Sequence, residues 1–320
     1  MPEKPSNGLR VFGGTSSQQL TQRVCQHLGI EPGRCEARIY GEGNTLVRVL
    51  ENVRGKDVFI IQTLSWPVND NFVELLFWID AFKRASAAQV TAVVPFFSYA
   101  KGDKKDEPRV SIRARACADC LEAVGVDRVL TMDLHAAQIQ GFFHVPVDHL
   151  LAMPLFVEHF KPMIKDPRDW VVVAPDAGFA KHARGYAQAL GTSLAIVDKS
   201  RSEVDERASA MDVIGEVKGK RVLICDDVIF AGSTVVVACD LLLKKGAVEV
   251  HAVVSHGVLS EGAADLIGKS GLTEVVITDT IEYRFAKLPD NVKVISSAKL
   301  FARAIRNIYE RTSVSALFHS

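Results

Sequence analysis

Asp226 and Asp227 follow the apolar run Val222-Leu223-Ile224-Cys225 and precede Val228-Ile229-Phe230-Ala231-Gly232-Ser233-Thr234, after which a second apolar stretch opens. This order predicts a strand ending in two carboxylates, a loop of small residues, and a helix. Carboxylates at a strand's C-terminal end can accept hydrogen bonds from sugar hydroxyls, and the N–H groups of a Gly/Ser/Thr loop at a helix N-terminus can hold a phosphate. One such segment grips a phosphorylated sugar at both ends. Taken alone, it is equally a strand with a polar end and an ordinary helix cap. Asp133 and His135 follow the apolar run Arg128–Met132, and Asp176 follows Trp170–Ala174. A lone histidine at a strand end is more often satisfied structurally than used in chemistry. Lys199 and Arg201 lie in a charged run from Asp198 to Arg207, and such runs are usually solvated surface.

The Asp226 segment resembles the phosphoribosyl diphosphate loop shared by type I phosphoribosyltransferases and ribose-phosphate diphosphokinases, also called PRPP synthetases. Further motifs choose between the two. They are Phe96-Phe97-Ser98-Tyr99-Ala100-Lys101-Gly102-Asp103-Lys104-Lys105, Thr131-Met132-Asp133-Leu134-His135, Gln138-Ile139-Gln140-Gly141-Phe142-Phe143 and Ala174-Pro175-Asp176-Ala177-Gly178. In this order and spacing, from near Val11 to near Arg303, the chain resembles the PRPP synthetase family, as a divergent member.

The resemblance implies transfer of an intact diphosphoryl group from ATP to the 1-hydroxyl of ribose 5-phosphate, giving PRPP and AMP. Such chemistry needs magnesium across the phosphates, cations for the transferred group and a pocket for the sugar. By the same resemblance, His135 and Asp176 contact magnesium, with Asp133 nearby, and Lys199 and Arg201 are the catalytic cations of a mobile loop. ATP falls to Tyr40, Glu42, Gly43 and Asn44, in the place of an aromatic-x-Asp-Gly-Glu turn, and to Lys101, Gly102 and Asp103, where the family has an Arg-Gln pair. Ribose 5-phosphate falls to Asp226, Asp227, Phe230, Ala231, Gly232, Ser233 and Thr234. A homo-oligomer, hexameric or dimer-based, is implied as well.

The departures matter chemically. Phe230 stands where the sugar loop usually has a third Asp, Ala231 where it has Thr, and Ser233 and Phe179 where the family has Gly. Losing one charge-assisted contact to a sugar hydroxyl costs about 1.5–3 kcal/mol of binding. Lys101-Gly102 loses a bidentate donor and an amide. Asp103, Lys104, Lys105 and Arg109 are candidates to compensate, or simply solvate a loop. A non-catalytic PRPP synthetase-associated regulatory subunit is the alternative reading. A base-specific phosphoribosyltransferase leaves the Met-Asp-Leu-His segment unexplained.

These residues need elements to position them. Apolar runs at Leu9–Phe12, Val58–Gln62, Gln89–Val94 and Arg128–Met132 read as strands, between helical patterns at Gln18–Leu28, Phe72–Ser86 and Ile112–Val124. The second half repeats the theme, with strands at Trp170–Ala174, Ser193–Val197, Arg221–Cys225, Val248–Val254 and Glu274–Thr278 and helices at Ala180–Leu190 and Thr234–Lys245. Such alternation predicts an α/β fold of mainly parallel sheets flanked by helices. The resemblance makes these two similar phosphoribosyltransferase-type domains, 1–148 and 149–297, with a C-terminal helix at about 298–320 rejoining the first. Ligands of such sheets sit beyond the strand C-termini, where Asp133, His135, Asp176, Asp226 and Asp227 are all expected, in one site between the halves.

Composition agrees. The 320 residues are 48% hydrophobic, enough for two cores. Lys+Arg and Asp+Glu both number 38, so no global positive field invites nucleic acid. Apolar runs fall short of the roughly 20 residues of a membrane span, and Met1-Pro2-Glu3-Lys4-Pro5 lacks a signal peptide's core. A cytoplasmic protein is expected. Its six cysteines, Cys117 and Cys120 forming a lone C-x-x-C, are expected as reduced thiols.

Overall fold

The computed structural model describes residues 8–201, 209–283 and 287–318, and the chain divides into two compact units. The first begins with β1 (Leu9–Gly13), α1 (Gln18–Leu28), an antiparallel hairpin of β2 (Cys35–Ile39) and β3 (Thr45–Val49), and β4 (Asp57–Ile61). It continues with α2 (Val68–Arg84), β5 (Gln89–Val94), α3 (Arg113–Ala123), β6 (Arg128–Met132) and β7 (Val147–Leu150). A parallel five-stranded sheet in the order β1-β4-β5-β6-β7 results. Its strands are apolar almost throughout because helices cover both faces. Phe12, Trp78 and Phe82 are fully buried, the Phe12 and Phe82 rings 4.7 Å apart.

The second unit holds α4 (Met153–Phe160), β8 (Trp170–Ala174), α5 (Ala180–Leu190), β9 (Ser193–Arg201), β10 (Ser209–Ile214) and β11 (Arg221–Ile229). After these come α6 (Ser233–Lys244), β12 (Glu249–Gly257), α7 (Ala263–Gly268), β13 (Glu274–Thr278) and β14 (Val292–Ile295). The seven strands run β10-β9-β8-β11-β12-β13-β14, all parallel except the β9–β10 pair. From β8 the chain builds outward in both directions, so the sheet has a topological switch point beside β8.

The final helix, α8 (Ala298–Tyr309), belongs to the first unit, where it packs on α1 and Arg306 reaches the carbonyl oxygens of His27 and Leu28. Asp279–Glu282, which sequence placed in the second half, also lies with the first unit. The cause is electrostatic. Glu282 accepts the free N–H groups of Gln19 and Leu20 at the positive end of α1, at 2.6 and 3.0 Å. Asp279 accepts from Arg23 at 2.8 Å and from both the N–H and hydroxyl of Ser297, at 2.6 and 2.7 Å.

Candidate active site

In the second unit, β8 is shorter than its neighbours. Its pairing with β11 ends at Ile224 and its pairing with β9 ends at Ile196, yet both neighbours run on. β11 continues to Ile229 against β12, and β9 to Arg201 against β10. The overrun leaves a notch above the C-terminal end of β8, at the switch point where ligands of open α/β sheets bind. Asp226 and Asp227 stand on the overrunning part of β11. The sequence placed them at the strand's last residues, whereas the ladder to β12 carries the strand two residues past them, Val228 and Ile229 pairing with His256 and Gly257.

Asp176 follows β8 and caps a 3-10 turn, its Oδ1 accepting the N–H of Phe179 at 3.1 Å. The ring of Phe179 stacks on His182, centroids 5.0 Å apart. Burial first, then the Asp227 carboxylate and to a lesser degree that of Asp176, push the Asp226 carboxyl up to about 8. The N–H of Asp227, donated to Asp226 Oδ1 at 2.9 Å, pulls the other way. Carboxylates crowded like this repel until a cation or a set of hydroxyl donors arrives.

Beyond β11, Gly232 precedes the first residue of α6 with φ +79°. A side chain at that angle is strained, and a Cβ would lie 3.3 Å from Ile267 Cγ1. No side chain caps this helix end and its first turn holds no acidic residue. The N–H groups behind exposed Ser233 and Thr234 therefore face a position suited to a phosphate. Phe230 is half-buried, its carbonyl accepting the N–H of Ser260 at 3.0 Å, and Ala231 is exposed.

Lys199 and Arg201 were read as a polar stretch after a strand, but their backbone is strand, in register with Met211 and Ser209 of β10. Antiparallel pairing satisfies backbone that the charged sequence marks as loop. Their side chains lie outside the described residues.

In the first unit, Asp133 has left-handed backbone, φ +36°, directly after β6. Its N–H donates to Leu150 O at 3.0 Å, and the next N–H, of Leu134, donates to His149 Nε2 at 2.8 Å. β7 thus pins the bend that leads to exposed His135. His149 was not singled out from sequence; its place one residue before the end of a short apolar run gives no signal of its own. Among the described residues no three His, Cys, Asp or Glu side chains cluster closely enough to hold a metal by themselves.

Tyr40, Glu42, Gly43 and Asn44 form the exposed tip of the β2–β3 hairpin, closed by Tyr40 N–H to Asn44 O at 2.8 Å, with Gly43 at φ +87°. Lys101 and Gly102 end a 3-10 turn (Ser98–Gly102) followed by Asp103. Gly102 is buried against α3, where an added Cβ would lie 2.6 Å from Nε and 2.9 Å from Cβ of Arg113.

Sheets of this kind with a carboxylate-bearing strand, a small-residue turn and an uncapped helix are of the phosphoribosyltransferase type. Residues 9–125 match the N-terminal domain of ribose phosphate pyrophosphokinase, and residues 203–319 match the phosphoribosyl synthetase-associated domain. The chain is 46% identical to a ribose-phosphate pyrophosphokinase of Caldanaerobacter subterraneus, with 98% of each chain covered. It is 45% identical to ribose-phosphate pyrophosphokinase 1 of Streptococcus pneumoniae, with 97% of each covered. The crystal structure of phosphoribosylpyrophosphate synthetase from Mycobacterium smegmatis superposes with a TM-score of 0.89 at 38% identity, covering 95% of this chain and 99% of that one. The chain belongs to the ribose-phosphate pyrophosphokinase family and is an enzyme of that type.

Proposed function

We propose that the chain transfers the β,γ-diphosphoryl group of ATP to the 1-hydroxyl of ribose 5-phosphate, giving PRPP and AMP. The notch above β8 carries this reading: two carboxylates for the ribose hydroxyls stand on one side, and an uncapped helix end for the 5-phosphate follows within seven residues of chain. The sugar's 1-hydroxyl oxygen attacks the β-phosphorus, the bond from that phosphorus to the α,β-bridging oxygen breaks, AMP departs, and the hydroxyl proton passes to solvent. Asp226 and Asp227 hold the ribose hydroxyls, and Gly232, Ser233 and Thr234 hold the phosphate, with Phe230 and Ala231 completing the loop. Lys199 and Arg201 are proposed to neutralise charge on the transferred group. Tyr40 offers a ring for adenine, Glu42, Gly43 and Asn44 a polar hairpin tip, and Lys101, Gly102 and Asp103 a second nucleotide contact.

Magnesium fits the residues present. Asp133 with exposed His135 in the first unit, and Asp176 in the second, are the residues proposed to hold it, the carboxylates being the hard oxygen donors this cation prefers. Bound there, it would neutralise phosphate charge and orient the diphosphate. The protein is further proposed to act in the cytoplasm as a homo-oligomer, hexameric or dimer-based. Six free cysteines accord with a reducing compartment. Exposed Val73 and Phe77 on α2 accord with burial by another subunit. No described helix is long and apolar enough to cross a membrane.

The test is PRPP and AMP formation from magnesium, ATP and ribose 5-phosphate, with Lys199→Ala alongside. Turnover by the parent and its loss by at least about a hundredfold in the variant is expected, the scale of one positioned charge at the transition state. A folded, ATP-binding parent without turnover would instead identify a regulatory subunit.

A further inference from the structure

We propose that Arg113, the first residue of α3, binds the phosphates of ATP and is the guanidinium of the Lys101–Asp103 turn. This rests on the reading of that turn as an ATP contact. Three observations carry it. The first is the steric exchange at Gly102. The 3-10 turn packs against α3, and Arg113 Nε and Cβ lie 2.6 and 2.9 Å from where a Cβ on residue 102 would stand. The turn has given up its own side chain at this point, and the space is taken by an arginine reaching across from the neighbouring helix.

The second is charge. Of the cations near the turn, half-buried Arg115 pairs with Asp119 at 2.6 Å and exposed Lys104 with Asp106 at 3.6 Å. Arg113 is exposed, and among the described residues no carboxylate lies within ion-pair distance of it. The third is its place on the helix. α3 begins at Arg113 with no side-chain cap and no acidic residue in its first turn. A cation at the positive end of a helix dipole is unfavourable unless an anion joins it. An arginine at the first position of an uncapped helix, its Nε against the turn that carries Lys101, is balanced by an anion, and a nucleotide polyphosphate is one that a planar fork holds well.

The experiment measures Kd for magnesium-ATP by calorimetry, and KM for ATP and for ribose 5-phosphate, on the full-length enzyme. Arg113→Ala is expected to weaken ATP by about tenfold or more in both Kd and KM, the loss of one charge-assisted hydrogen bond. The ribose 5-phosphate KM and the melting temperature should not move. Arg113→Lys should recover part of the loss, keeping the charge without the fork. Gly102→Gln should weaken ATP in the parent by displacing Arg113, and add little once Arg113→Ser is present, a coupling that a bystander would not show. If Arg113→Ala binds ATP within twofold of the parent while Lys101→Ala does not, the inference falls and the reading of the turn stands. If neither variant changes ATP binding, both fall.

Discussion

Asp226 is held in a state that ligand-free protein pays to maintain. Its carboxyl, pushed up to about 8 by burial and by Asp227, keeps a proton in the folded chain that an unfolded chain releases near pH 4. Between those values the folded state binds more protons than the unfolded state, so stability is fullest below about pH 4 and falls as pH rises toward 8. Asp226→Asn removes that dependence. Thermal melts of the ligand-free variant should match the parent at acid pH and exceed it at pH 8, with about 2–4 °C gained per kcal/mol recovered. The same variant should lose ribose 5-phosphate affinity, because an amide replaces a charge-assisted acceptor with a weaker one. A parent whose stability rises from pH 5 to pH 8, with no gain in the variant, would contradict this account. Residues of this kind were legible from their types and spacing: Asp226 and Asp176 were picked out by their positions after apolar runs. Arg113 and His149 were not, because each is defined by a through-space neighbour, Gly102 for one and the Leu134 N–H for the other. A local pattern holds no record of either contact.

Elements explain how such residues are placed. Gly232 lets the chain turn from β11 into α6 in left-handed backbone, leaving the helix end open. Gly232→Ala should cost about 1 kcal/mol of stability from the backbone angle, with Ile267 forced to give at 3.3 Å. The ribose 5-phosphate KM should rise by about tenfold, since a shift of this turn moves the N–H groups that face the phosphate. An unchanged KM would show that α6 does not hold the sugar's phosphate. The apolar strands and amphipathic helices were readable where the run was long and buried: Gln89–Val94, Arg128–Met132, Trp170–Ala174 and Glu274–Thr278 have the expected ends. The β2–β3 hairpin escaped because its residues are half-exposed and carry charges. Four-residue β7 and β14 escaped because they owe their strand state to the neighbour they pair with. The overruns of β9 and β11 were missed for a related reason: Asp198 and Lys199 read as a polar stretch after a strand, and Asp226 and Asp227 as a strand's end, whereas pairing on one side is enough to carry the strand on.

At the scale of the molecule, each unit has its own sheet and its own apolar core, but the first is assembled from three stretches of chain, 1–151, 279–282 and 296–320. Asp279 secures the middle stretch through Arg23, Ser296 and Ser297. Asp279→Ala should therefore destabilise the first unit by about 2–3 kcal/mol, as donors lose a buried charged acceptor. Calorimetric scans should show a lower melting transition, and arginine 23 should become more accessible to guanidine-directed labelling; no change would mean that α8 docks without this carboxylate. Net charge is also a property of the whole chain. With 38 acidic and 38 basic side chains, repulsion between copies is weakest near neutral pH, so solubility should improve on moving above it. The segmented first unit has a further consequence for biosynthesis. A ribosome makes about 5–20 residues per second, and domains fold as their chain emerges. The second unit's sheet is nearly all synthesised before Leu300, Phe301 and Ile305 of α8 exist to cover α1. The half that is translated first is therefore the half that finishes folding last, and a message truncated just before α8 would yield an N-terminal sheet with one flank bare.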